Sequence, residues 1–77
     1  MYHGMLIYQG STEEGRKAKK LVKGCKVPHD LIDADKVLTD AEELPVLMNT
    51  DGNFPGLEAI QTYLESPAFK AHLPALP

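Results

Sequence analysis

One ordering of elements constrains this chain more than anything else in it. "HGMLIY", His3 to Tyr8, is a nearly continuous apolar run, the pattern of a strand buried on both faces. Gly10 breaks it. Ser11 followed by Glu14 has the S-x-x-E form of a capping box, in which hydroxyl and carboxylate satisfy each other's free backbone N–H groups. A helix then runs to about Lys23. Its apolar stripe is Ala18, Leu21, Val22 and Cys25, at i, i+3, i+4 and i+7. Gly24 is a natural stop, and Gly15 in the first turn weakens the start. "KVPHDLIDAD" resumes extended structure around Val27, Leu31 and Ile32. Pro28 cannot donate to a ladder, so this strand begins there or lies at a sheet edge. Strand, helix, strand implies parallel pairing through a right-handed crossover.

The remainder adds a hairpin and a helix. "ADKVLTDAEEL" is polar, and Thr39 or Asp40 would cap one helical turn ending near Leu44. "PVLM" is the next strand. The Asp51-Gly52 pair in "NTDGN" is a hairpin signal, with a brief strand near Asn53 and Phe54 behind it. Pro55 and Gly56 open a helix with the apolar stripe Leu57, Ile60 and Leu64, flanked by Ala59 and Tyr63. Pro67 ends it or starts a last turn. The expected fold class is α/β: a four-stranded mixed sheet, β-α-β then β-hairpin-α, with the two main helices on one face. The 77 residues form one domain, 1–77. Within it, 68–77 is a loosely packed tail that packs Phe69 and frays after Leu73.

Composition excludes several functions. Apolar residues are 43% of the chain, which argues against disorder. No apolar run reaches the 18 or so residues of a membrane span. The N-terminus lacks the marks of a signal peptide, so a cytoplasmic protein is the expectation. Cys25 is the single cysteine and His3, His29 and His72 share no helical spacing, so no metal site is expected. Arg16, Lys17, Lys19, Lys20, Lys23 and Lys26 cluster, whereas Asp30 to Glu65 is strongly acidic. No aromatic residues interleave the lysines, which argues for a solvated helix face rather than a nucleic-acid site.

"LPVL", then "DG", an aromatic, a helix start and "AIQTYLE", together with "KLVKGCKVPHDLIDAD", resemble the thioredoxin fold. The pattern is most similar to glutaredoxins and the N-terminal domain of glutathione transferases, over about Gly4 to Glu65. The resemblance implies a cis Pro45. It also implies that the N–H and C=O of Val46 are offered to the cysteinyl part of glutathione, and that a glutathione carboxylate sits at the helix start near Gly56 and Leu57. Leu57 offers no hydroxyl where transferases usually carry serine.

The redox cysteine of glutaredoxins, expected between Gln9 and Gly15, is absent. Thiol–disulfide exchange by that route is excluded. Cys25 lies at the far end of its helix, where the dipole disfavours a thiolate, and reads as a structural cysteine. Two candidates for a chemical role follow from the transferase resemblance: Tyr8 at the end of the first strand and Ser11 at the helix start. Either hydroxyl would hydrogen-bond a glutathione thiolate. Both have simpler readings, as a strand-end aromatic and as a cap. The expectation is therefore a non-catalytic binding module with no required cofactor. It would bind a protein or peptide through the Pro45–Met48 edge, the loop with Tyr8, Ser11 and Thr12, and the helix start at Gly56, with homodimerisation open. The alternatives are a glutathione-binding transferase-like or redox-accessory protein using Tyr8 or Ser11, and a structural assembly subunit.

Overall fold

The computed structural model describes residues 2–37 and 43–73. The elements are β1 (Gly4–Tyr8), α1 (Glu13–Gly24), β2 (Asp30–Asp33), β3 (Val46–Asn49), β4 (Gly52–Pro55), α2 (Leu57–Leu64) and α3 (Pro67–Lys70). They build an α/β unit around one open mixed sheet, in the order β2-β1-β3-β4. β1 pairs parallel with β2 and antiparallel with β3, and β3 pairs antiparallel with β4. Pro28 precedes β2, and β2 is indeed an edge strand. The turn expected at Thr39 or Asp40 lies outside the described residues.

The period of two along a strand sorts the sheet's faces. Leu6 and Leu47 are direct cross-strand partners and neither is exposed at all. With Tyr8 they meet Ala18 and Val22 of α1, Ile60 and Tyr63 of α2, and Phe69 of α3 in one core. Of the expected tail, Phe69 is buried and Leu73 packs against this core; residues 74–77 lie outside the description. No described helix is long and apolar enough to cross a membrane.

Three local expectations are corrected. Thr12, not Ser11, caps α1: its Oγ1 accepts from the Gly15 N–H at 3.0 Å. Ser11 instead donates its backbone N–H to Asp35 at 2.9 Å. Leu21 stands off the buried stripe at 37% exposure, and Gly15 takes its place beside Ala18 and Val22. The hairpin closes on the pair Asn49–Gly52, with Thr50 and Asp51 at its tip. The Asp-Gly signal therefore finds the hairpin but places its tip one residue late. Gly52, at φ +134°, takes a backbone angle that side chains avoid. Thr12→Ala is expected to cost about 1 kcal/mol and Ser11→Ala less than about 0.5 kcal/mol. Urea unfolding of the two variants checks the assignment.

A polar chain ties the N-terminal segment to the fold. The Asn49 amide donates to the Tyr2 hydroxyl at 3.1 Å. The Val27 carbonyl can only accept, so His29 Nδ1 carries a proton and donates to it at 2.9 Å. With the ring neutral, Nε2 accepts from the Tyr2 hydroxyl, 2.6 Å away. This tautomer is neutral, and burial pushes the His29 pKa down from its ordinary value. A lowered folded pKa means the unfolded chain binds the proton more tightly. The contribution of His29 is thus complete above about pH 6.5 and is lost as pH falls through its folded pKa. Thermal midpoints should drop as pH falls below about 6.5, and His29→Phe should flatten that slope.

Candidate functional site

The expected site residues come from four elements that end on one side of the sheet. Ile7, Val46 and Pro55 form a single row across β1, β3 and β4. One residue beyond that row stand Tyr8, Pro45 and Gly56. The Gly56 N–H donates to the Pro45 carbonyl at 2.7 Å, which joins the proline loop to the start of α2. The Leu44–Pro45 peptide is cis, as the resemblance implies.

Two parts of the expected mechanism are overturned. The Pro45–Met48 segment is no free edge, because β3 is an interior strand paired on both sides. Pro55 has no N–H, so Val46–Pro55 is a non-hydrogen-bonded pair. Alternation along an antiparallel ladder then turns the N–H and C=O of Val46 toward Ile7. Val46 spends its backbone inside the sheet and has none to offer a ligand. The residue whose backbone escapes both ladders is Leu44, half-buried just before the proline. The restriction that a proline imposes on the residue before it is the sequence signal that points there.

Tyr8 faces the core under the helices, whereas Ile7 and Val46, one position off, belong to the opposite face of the sheet, and Pro55 is exposed. Pro45 is fully buried, and Tyr8 and Val46 are 6% and 7% exposed. Tyr8 belongs to the core, with the Lys19 ammonium 5.4 Å from its ring centroid. Ser11 and Thr12 are exposed. The Thr12 hydroxyl donates to the Gln9 carbonyl at 3.0 Å while accepting from Gly15.

The two helix starts at this end differ sharply. At α1 the chain supplies its own anions. Asp33 accepts from the Gly10 N–H at 3.2 Å and Asp35 from the Ser11 N–H at 2.9 Å. Backbone N–H groups of Asp35 and Gly10 hold the Asp33 carboxyl below its usual range. The "DAD" that follows Ile32 thus satisfies two amides of the loop that precedes α1. At α2, Gly56 is the N-cap with no side-chain hydrogen bond. The amides of Leu57, Glu58 and Ala59 open the helix there, with Glu58 the one acid in the first turn.

Concave surfaces around this frame include three among the described residues, and of the expected site residues Leu57 lines one of these. A furrow of about 600 Å³ runs between α1 and α2, lined by Lys17, Lys20, Leu21, Gly24, Leu57 and Gln61. A wider groove of about 900 Å³ flanks β4 and α2, including Phe54, Ala59, Thr62 and Tyr63. At its end Asp51 accepts from the Tyr63 hydroxyl at 2.7 Å and meets His72 at 3.0 Å; these two bonds lower its pKa. A small pocket holds Cys25 and His29. Cys25 Sγ lies 2.9 Å from the Val22 carbonyl, 3.2 Å from the Val27 carbonyl and 3.6 Å from His29 Nδ1.

No protein-family model matches the chain, and comparison with curated proteins finds no match.

Proposed function

We propose that this chain is a thioredoxin-like, non-catalytic binding module. It takes an extended peptide segment at the Leu44–Pro45 loop, with a peptide carboxylate at the start of α2. The supporting observation is the meeting of that loop with an uncapped helix start, joined by the 2.7 Å bond from Gly56 N–H to the Pro45 carbonyl. Leu44 supplies the backbone groups that Val46 cannot. Amides and dipole at Leu57 to Ala59 favour an anion. Asp33 and Asp35 already accept from the Gly10 and Ser11 amides before α1, and Gln9 to Gly15 holds no cysteine, which is why the reading is binding and not redox exchange.

The test is an amide-shift titration with a Val/Thr-rich hexapeptide ending in a free carboxylate. Shifts are expected at Leu44, Leu57, Glu58 and Ala59. Amidation of the peptide should weaken binding by roughly two- to fivefold, the worth of a charge at a helix N-terminus. A flat response at millimolar peptide overturns the reading. Glutathione forms the second arm. If it binds at the same amides and Tyr8→Phe raises the pKa of its thiol, the transferase-like reading replaces this one.

A further inference from the structure

We infer that the furrow between α1 and α2 docks an acidic amphipathic helix of a partner protein; it shares Leu57 with the Pro45 end, and Lys17, Lys20, Leu21, Gly24 and Gln61 lie outside that end. Lys17, Lys20, Leu21 and Gly24 fall at i, i+3, i+4 and i+7 and form one stripe of α1 along the furrow. Leu57 and Gln61, one turn apart, form the facing wall on α2. Leu21 is 37% exposed, although it sits in a helix whose neighbouring stripe is fully buried. A Cβ at Gly24 would meet nothing within 4 Å, so the furrow is open at that end. The floor is apolar, and the stems of Lys17 and Lys20 extend it.

Charge selects the occupant. Arg16, Lys20 and Lys23 are exposed at i, i+4 and i+7 and line one rim of the same stripe. Lys17 is paired with Glu13 at 3.1 Å, whereas Lys20 has no ion-pair partner among the described residues. Leucines flanked by a row of positive charge, between two packed helices, match the apolar face and acidic shoulders of a third helix. A second copy of the chain fits poorly. Its described helices carry acids only in their first turns, Glu13 and Glu14 in α1 and Glu58 in α2. A membrane surface fits poorly too, because no aromatic side chain lines the furrow.

The probe is a synthetic helical peptide with leucines at i, i+3 and i+7 and glutamates elsewhere, compared with its lysine counterpart. The acidic peptide should shift the amides of Lys20, Leu21, Gly24, Leu57 and Gln61 and leave Leu44 unmoved. Its affinity should fall about tenfold in Lys20→Glu, an exposed position, and fall again as salt rises from about 50 to 300 mM. Leu21→Ser should weaken it without changing the salt slope. The inference is overturned by equal binding of the lysine peptide, by an unaffected Lys20→Glu, or by absence of shifts at millimolar peptide. Leu21 signals that move with protein concentration alone would overturn it in favour of self-association. Binding to phosphatidylserine vesicles with no saturable peptide binding would overturn it in favour of a membrane.

Discussion

Leu47→Ala is expected to cost about 3 kcal/mol, the middle of the range for deleting a fully buried leucine. Leu47 has no exposed surface and sits directly opposite Leu6, which has none either. It stands on an interior strand, at the point where α1 and α2 both close on the sheet. Backbone ladders hold it on two sides, so the neighbours cannot collapse into the space left behind. A domain near this size has about 4–11 kcal/mol of stability in total. The variant should therefore unfold at a urea midpoint lower by at least about 1 M, given a slope of about 1–3 kcal/mol per M. Met48→Ala, one residue on and 36% exposed, should cost less than about 1 kcal/mol. Equal losses at the two positions would mean that the core does not centre on the Leu6–Leu47 pair.

Gly15→Ala reverses an ordinary rule. Alanine in place of a helical glycine usually stabilises by about 1 kcal/mol. Here the new Cβ would collide with the backbone oxygen of Gln9 and stand 2.7 Å from the Thr12 hydroxyl that caps the helix. The Gln9 oxygen cannot swing away, because it accepts from both the Thr12 N–H and the Thr12 hydroxyl. Overpacking costs about 1–3 kcal/mol and disturbing the cap about 1 kcal/mol. A net loss of about 2 kcal/mol is expected once the gain in helix propensity is set against them. Gly24→Ala supplies the contrast within the same helix. Its Cβ meets nothing within 4 Å and its φ is not positive, so it should gain up to about 1 kcal/mol. Thermal or urea midpoints that moved in the same direction for both variants would remove the close approach of Gln9 as the reason for glycine at 15.

The two helix starts at one end of the sheet differ in what meets them. Asp33 and Asp35 accept from Gly10 and Ser11 in the loop before α1, and Thr12 caps that helix. The α2 start carries no side-chain cap. Under the proposed reading, a ligand carboxylate would find its donors at Leu57 to Ala59 and not at the α1 loop. Among the described residues the exposed large apolar side chains are Leu21, Val37 and Met48, on three separate parts of the chain, and only Leu21 lies in one of the three concave surfaces.

The order of elements was legible in the amino acids alone, because it rests on local periodicity. The run at Leu6 to Tyr8, the stripe through Ala18 and Val22, the Asp51-Gly52 turn and the stripe through Ile60 each mark their own element. The missing N–H at Pro28 left β2 either to begin there or to lie at an edge; it begins at Asp30 and lies at the edge. What each backbone group bonds to was not legible, because that depends on which strands become neighbours. Val46 reads as available until β1 and β4 are placed on its two sides. Gly15 reads as a weak helix residue until Gln9 folds back onto it. Ser11 with Glu14 reads as the capping box, yet Thr12 caps the helix, and Asp35, 24 positions further on, takes the Ser11 N–H that the box would give to Glu14. Periodicity is a property of neighbours in sequence and survives in any context. Hydrogen-bond partners and close approaches belong to residues far apart in the chain, and only the packed sheet and helices assign them.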